Sequence, residues 1–327
     1  MLLRGSFKLN WGSPAFLFVY FIFCMNMVTR IKVLLLLLVI CGSSIAADIT
    51  YTKTDSLRVV KLLTEGNKAY AANKNLNLMI YYGNKLCGLP YVGRTLEVNK
   101  TEKLVVNLTQ LDCTTYVETV FALSLTTKQG SVKWTDYCNN LQSIRYANGK
   151  PEGYVSRNHY FLWWIERNKA RGFVSTPMDD NMKKLVAEKK KLPSYIAKQT
   201  IKINYMSTHS DVYPMLKGNK NDISKIASME KQSNGKVVYY IPAGKTGQNK
   251  QRLGNYVKDG DILAIATKKA GLDTSHIGIA SWGKDGKLHL LNASQVRKKV
   301  VLEPMTLLQY MKKHPTHLGI WVIHPNL

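Results

Sequence analysis

Apolar positions recur at two different periods along this 327-residue chain. In TDSLRVVKLLTEGNKAYAAN (54–73) they return every three to four residues, with Leu57, Val60 and Leu63 on or near one face and Thr54 to Ser56 available as caps. That spacing predicts an amphipathic helix. LNLMIYYGNKLCG (76–88) predicts a second helix ending near Gly88, with a turn through Gly88, Leu89 and Pro90 after it. A third helix opens at Asp112 and runs to about Thr127, with Val117, Val120 and Phe121 as its inward face. A fourth covers 134–146, where Trp134, Tyr137, Cys138, Leu141 and Ile144 fall at near-helical spacing, which makes Cys138 a core residue. From 260 the period shortens. GDILAIAT (260–267), HIGIASWG (276–283), KLHLLNAS (287–294) and LGIWVIHP (318–325) are strand-like. Helices first and strands last predict an α+β domain. Between about 150 and 250 the pattern is less regular, and this stretch reads as an insertion that shapes a binding surface. Its lysine-rich DDNMKKLVAEKKKLP reads as a solvated helix face.

The N-terminus carries a different signal. In MVTRIKVLLLLLVICGSSIAA (27–47), Arg30 and Lys32 precede an apolar run, Val33 to Ile40, that is too short to span a bilayer as a helix. Small residues follow at Ser44 to Ala47. This is the pattern of a secretory leader, which is set apart from the fold. Residues 1–26 read as an upstream extension, although AFLFVYFIF is itself apolar. LVICGS around Cys41 weakly resembles a lipoprotein signal, but Ile40 is large for the position before a lipidated cysteine. The expected organisation is an extension (1–26), a leader (27–47), a helical part bearing the cysteine helix (48–150), the insertion (151–254) and the sheet part (255–327).

Charge narrows the partners. Lys and Arg number 46 against 21 Asp and Glu, a formal +25. Removing 1–47 takes four basic residues (Arg4, Lys8, Arg30, Lys32) and no acidic ones, leaving 42 − 21 = +21. Such an excess suggests an anionic partner. For an exported, periplasmic or envelope protein, nucleic acid is a poor match and an acidic wall polymer a better one. The cysteines left after the leader are Cys87, Cys113 and Cys138, an odd number, so at least one is free or pairs between chains.

Cys113 follows a good N-cap, Asp112, at the first helical position. Unpaired backbone N–H groups and the positive end of the helix dipole favour a thiolate there. The alternative is a buried structural cysteine. A nucleophile needs a base. Of seven histidines, His314, His317 and His324 lie near the C-terminus in no recognisable context, and His209 lies in a loop. His159, in RNHYF, is a candidate substrate contact. His276 opens a strand with Gly278 and Ala280 on its own face, and rigid strands position a base well. The hairpin register tests this. A three-residue loop, Lys284-Asp285-Gly286, with Gly286 left-handed pairs Gly283 with Lys287, so opposed residue numbers sum to 570. Asn292 then opposes Gly278, diagonal to His276 on the same face, while His289 points away. Diagonal neighbours lie within side-chain reach. A two-residue Asp-Gly turn would put Asn292 on the wrong face.

GLPYVG (88–93), LDCTTYV (111–117), GDILAI (260–265), SHIGIA (275–280) and LLNAS (290–294) occur in that order. Together they resemble the NlpC-type cell-wall hydrolases, papain-like cysteine amidases and peptidases. The match covers roughly 85–127 and 255–327. The resemblance implies a papain-like cysteine-hydrolase core, with the catalytic helix packed on an antiparallel sheet and a large insertion. Carried over, Cys113 is the nucleophile, His276 the base, Asn292 the orienting group, and Tyr91 lines the site. Many members have Ser where this chain has Thr114, and Asn292 replaces the more frequent His. The insertion of about a hundred residues is long. These departures, with RNHYF and INYMSTH, resemble the N-acetylmuramoyl-L-alanine amidase-like branch, which cuts between the muramic lactyl group and L-alanine.

The resemblance therefore implies a cysteine-dependent amidase of peptidoglycan fragments. Asp112, Arg157, His159, Tyr160, Ser275 and Gln295 are its candidate substrate contacts. No HExxH or paired Cys/His spacing suggests a metal, and no cofactor is expected. The expected partner is peptidoglycan or a muropeptide containing N-acetylmuramoyl-L-alanine, with no nucleic acid and no obligate protein partner. The rivals are a γ-D-glutamyl-diamino-acid endopeptidase with the same machinery, a catalytically silent wall-binding module, and a thioester-forming acyltransferase. The silent module predicts no thiol reactivity at Cys113 near neutral pH.

Overall fold

The helical and strand-like halves meet at a single buried helix, and that meeting places Cys113. The computed structural model describes residues 49–327. The extension, the leader and Cys41 lie outside the described residues.

After a short strand β1 (Ile49–Thr50), helix α1 spans Lys53–Ala72. Its buried stripe is Asp55, Val59, Leu62, Leu63 and Gly66. The expected face is therefore rotated: Leu57 and Val60 point to solvent, 61% and 38% exposed. Asp55 explains the rotation. Its carboxylate accepts from Thr52 N–H at 2.9 Å and from Leu108 N–H at 2.7 Å, which pins the first turn inward. Helix α2 (Leu78–Lys85) follows, shorter at both ends than the sequence pattern predicts. Strand β2 (Leu104–Val105) pairs in parallel with β1.

Helix α3 (Cys113–Lys128) begins where expected. Asp112 accepts from Thr115 N–H at 2.8 Å and Thr115 Oγ1 accepts from Asp112 N–H at 2.9 Å, a reciprocal cap. The helix is not amphipathic. Every residue from Thr115 to Thr127 is buried, because α1, α2 and α4 (Trp134–Arg145) pack around it on one side and the sheet on the other. Some of its polar side chains are satisfied within the helix: Ser124 donates to Val120 O and Thr126 to Ala122 O. Glu118 meets Arg145 of α4 at 2.7 Å, both side chains 3% exposed. Removing one partner of such a pair strands a buried charge. Glu118→Ala is expected to destabilise the fold by about 3–5 kcal/mol, read as a lower urea midpoint at unchanged slope. Cys138 lies in the core of α4, as its spacing predicts.

The stretch 151–254 is more regular than the sequence pattern suggests. It holds α5 (Phe161–Ala170), β3 (Val174–Ser175), α6 (Pro177–Ala187), β4 (Ala197–Thr200), α7 (Lys220–Ser233) and β5 (Val237–Pro242). Part of it belongs to the main sheet, since β5 pairs with the last strand. In the lysine-rich run, α6 buries Met178 and Met182 and ends at Ala187, so Lys189 to Lys191 fall beyond the helix.

The final stretch holds β6 (Ile262–Thr267), β7 (Thr274–Trp282), β8 (Leu288–Ser294), β9 (Lys299–Leu302), α8 (Leu307–Lys312) and β10 (His317–Pro325). The sheet order is β4-β5-β10-β6-β7-β8-β9, antiparallel throughout, with β3 added against β10. Both faces are covered, which explains the near-continuous apolar runs. On β6, Ile262, Ala264 and Ala266 join the core around α3, whereas Leu263 and Ile265 join a second core with Met182 of α6 and Leu307 of α8. The β7–β8 register follows the three-residue loop: Ile279 faces Leu291, Ser281 faces His289, and Gly286 has φ +70°.

Candidate active site

The β7–β8 hairpin brings His276 and Asn292 together. Ladder pairing ends at Ile279–Leu291, and one step further Gly278 lies opposite Asn292. A Cβ on Gly278 would come within 3.0 Å of the Asn292 Cβ, so the missing side chain lets the two strands close around the pair. His276 Nε2 lies 2.9 Å from Asn292 Oδ1. Asn292 Nδ2 donates to Leu290 O at 3.2 Å, which fixes the amide with its oxygen toward the imidazole. An accepting oxygen requires a donating ring nitrogen. His276 therefore carries its proton on Nε2, and Nδ1 keeps the lone pair a base needs.

Cys113 arrives at the same place from α3. The backbone N–H of Ile277, the residue after His276, and Thr114 come close enough to the thiol to favour its charged form. Cys113 and His276 line one cavity of about 210 Å³, together with Thr114, His159, Tyr160 and Ser275. The electrostatics differ from the expectation that a helix start by itself favours thiolate. Burial, and after it the Asp112 carboxylate, push the thiol up to about 11, against the influence of Ile277 and Thr114. Burial likewise pulls His276 below its ordinary value, against the Asn292 bond that raises it. At neutral pH both shifts favour the neutral thiol and the neutral imidazole.

The other residues singled out in the sequence take varied places. Tyr91 is half-buried beside Cys113, and burial together with Cys113 and Asp112 pushes its phenol up to about 12. It stays a hydrogen-bond donor at any physiological pH. Asp112 lines a second lobe of about 220 Å³ that shares Thr114, Asn158, His159 and Tyr213 with the first. Arg157 lines this second lobe too, but its guanidinium is held by Glu97 at 2.8 Å and Glu102 at 3.0 Å. His159 bonds Tyr154 O at 2.8 Å and packs tilted against the Tyr154 ring, with centroids 4.3 Å apart. Tyr160 donates to Glu230 at 2.7 Å, so its hydroxyl is committed to the scaffold while the residue still walls the cavity. Ser275 lines the cavity at the start of β7. Gln295 does not belong with these. It is exposed in the turn after β8 and lines neither lobe.

Sequence reasoning missed Tyr310. Its ring lies 6.4 Å from that of His276, and His314 and His317 stack behind it at 4.8 and 5.9 Å. The only hint was the clustering of histidines near the C-terminus. Among the described residues, no group of three His, Cys, Asp or Glu is placed to hold a metal ion, and Cys87, Cys113 and Cys138 are free thiols.

The imidazoles predict an acid-side instability. Burial lowers His317 from 6.5 to about 4. The unfolded chain therefore binds a proton in this window that the folded chain excludes. The contribution is complete above pH 6.5 and is lost as pH falls toward 4, with His159 and His276 acting in the same direction. Burial raises Asp261 and Asp273, and these act with the opposite sign. The clean readout is thus a difference: between pH 7 and pH 4.5, His317→Gln is expected to lose less melting temperature than wild type.

A family model described as N-acetylmuramoyl-L-alanine amidase-like (AmiA-like) matches residues 81–320. An N-acetylmuramoyl-L-alanine amidase from Bacteroides uniformis is 33% identical, covering 80% of this chain and 100% of its own, with a TM-score of 0.66. A Bacteroides fragilis protein described as a candidate xylanase is 36% identical over 75% of this chain and 99% of its own, with a TM-score of 0.64. A Legionella pneumophila protein, 21% identical over 81% and 94% with a TM-score of 0.58, shares the fold. A search of curated proteins found no match. With the model spanning most of the described residues, the chain belongs to the N-acetylmuramoyl-L-alanine amidase-like family.

Proposed function

We propose that this chain is an exported, papain-like cysteine amidase that cleaves the bond between the muramic lactyl carbonyl and L-alanine in peptidoglycan fragments. The observation that carries the reading is the His276–Asn292 bond at 2.9 Å in a cavity that Cys113 lines together with His276. Family membership supplies the substrate class, and the Bacteroides uniformis relative is named for this amide.

In the proposed reaction, His276 Nδ1 takes the Cys113 proton as sulfur attacks the lactyl carbonyl. The tetrahedral oxyanion is met by the Cys113 backbone N–H and the Tyr91 hydroxyl. Collapse breaks the C–N bond, and Nδ1–H gives its proton to the leaving L-alanine amine. Water, deprotonated by Nδ1, then attacks the thioester, releasing the muramic carboxyl group and restoring the thiol. Burial favours this order of events, because neither ion of the Cys–His pair is stable until substrate makes it useful. Asn292 holds the Nε2–H tautomer throughout.

A glycosidase reading, suggested by the description of one relative, finds less support. It calls for two facing carboxyl groups. Near Cys113, Asp112 caps α3 and Asp273 accepts from Leu162 N–H and Thr274 N–H, both at 2.7 Å. Neither is a free acid.

Hydroxylamine tests the chemistry by intercepting the thioester. Turnover in its presence is expected to yield muramoyl hydroxamate. A peptidyl hydroxamate would replace the amidase by an endopeptidase. Asn292→Ala is expected to lower kcat by roughly 10- to 100-fold with folding intact, since His276 stays on its strand but loses the bond that fixes its tautomer. A wild-type rate in that variant would remove the orienting role.

A further inference from the structure

The second lobe of the cleft has no role in the chemistry above. Its charged side chains are mostly committed to each other. Arg145 is bound to Glu118, and Arg157 to Glu97 and Glu102. The Asp112 carboxylate is taken up by Thr115. Arg94 is different. It lines the lobe, is exposed, and forms no ion pair or side-chain hydrogen bond among the described residues. Its backbone is also unusual: φ is +63°, the left-handed region that favours glycine. A turn closed by Glu97 N–H onto Arg94 O at 3.1 Å holds it there. The turn leaves its fork of donors unused along the wall of the lobe.

We infer that Arg94 is a specificity-determining residue that binds a carboxylate on the peptide side of the scissile amide. The inference rests on the amidase reading and deepens it. Substrate chemistry supplies the direction. Muramic acid has one carboxyl group, and in the substrate it is already the scissile amide. Every free carboxylate therefore belongs to the stem peptide. A guanidinium that takes a carboxylate with two parallel N–H bonds orients its ligand as well as holding it. The Arg94 lobe then receives the peptide, and the lobe walled by Tyr160 and Ser275 receives the sugar, with Cys113 next to Thr114, which lines both. Specificity at this point is for an anionic stem over a neutral one.

The test uses the whole enzyme and two N-acetylmuramoyl tripeptides, one with free carboxylates and one with each carboxylate amidated. Wild type is expected to prefer the acid in kcat/KM. Arg94→Ala is expected to lower kcat/KM for the acid by about 10- to 100-fold, mostly through KM, and to leave the amidated substrate unchanged. Arg94→Lys is expected to recover part of the preference, because it keeps the charge and loses the fork. Wild type cleaving both substrates, with Arg94→Ala slowing both equally or neither, overturns the carboxylate role and leaves the amidase standing. Wild type cleaving neither substrate overturns the amidase reading and the inference with it. Matching melting curves for wild type and Arg94→Ala exclude misfolding as the cause of any loss.

Discussion

Replacing Cys113 with alanine is expected to abolish muropeptide hydrolysis, with a loss of about 10⁴-fold or more in kcat. No other described cysteine can substitute for it. Cys87 lies after α2, Cys138 is buried in α4, and neither lines the cleft. The fold is expected to survive, because Cys113 stands at the end of α3 and the cap that starts the helix is made by Asp112 and Thr115. A melting curve beside the activity measurement separates the two effects. The neutral resting pair also alters what thiol chemistry reveals. With the thiol pushed up to about 11, slow alkylation of the free enzyme at neutral pH does not identify a silent module. Turnover of substrate does, because the proton leaves the sulfur only as the carbonyl arrives.

The second large effect belongs to His276. His276→Ala is expected to cost about 10²–10⁴-fold, the range for a positioned base. The wild-type pH profile should carry its signature. Activity needs Nδ1 unprotonated, and burial pulls this imidazole below 6.5. The acid limb of kcat/KM is therefore expected below pH 6.5, with full activity retained at neutral pH. An acid limb above pH 7 would mean that His276 is stabilised as a cation, and the neutral-pair account would fail. Asn292→Ala removes the larger of the two influences that raise this group, the other being the Asp112 carboxylate, so its acid limb should move lower still.

How much of this was legible in the sequence differs from element to element. The β7–β8 register was legible up to the choice of turn: a three-residue loop with Gly286 left-handed keeps Asn292 beside His276, a two-residue turn does not, and the observed ladder follows the first. The start of α3 was legible from Asp112 alone. Its surroundings were not: a helix buried on every side has no amphipathic stripe to read, and Glu118 is explained only by Arg145, 27 residues later. The face of α1 was misread because Asp55, a polar residue, is the one turned inward to Leu108 N–H. Tyr310 and Arg94 escaped for a related reason. Each acquires meaning from a partner far away in the chain or from the lack of one, and local periodicity reports neither. Gln295 was carried in by its closeness in sequence to Asn292, yet the strand ends at Ser294 and the next side chain leaves the site.

The central claim is that Cys113 opens the amide between the muramic lactyl group and L-alanine. The most direct test is mass spectrometry of a defined disaccharide muropeptide incubated with the enzyme, with Cys113→Ala alongside. The account predicts free disaccharide with its lactyl carboxyl group intact, together with an unbroken stem peptide beginning at L-alanine, and neither product from the variant. A cut within the stem, or equal release by Cys113→Ala, would contradict it.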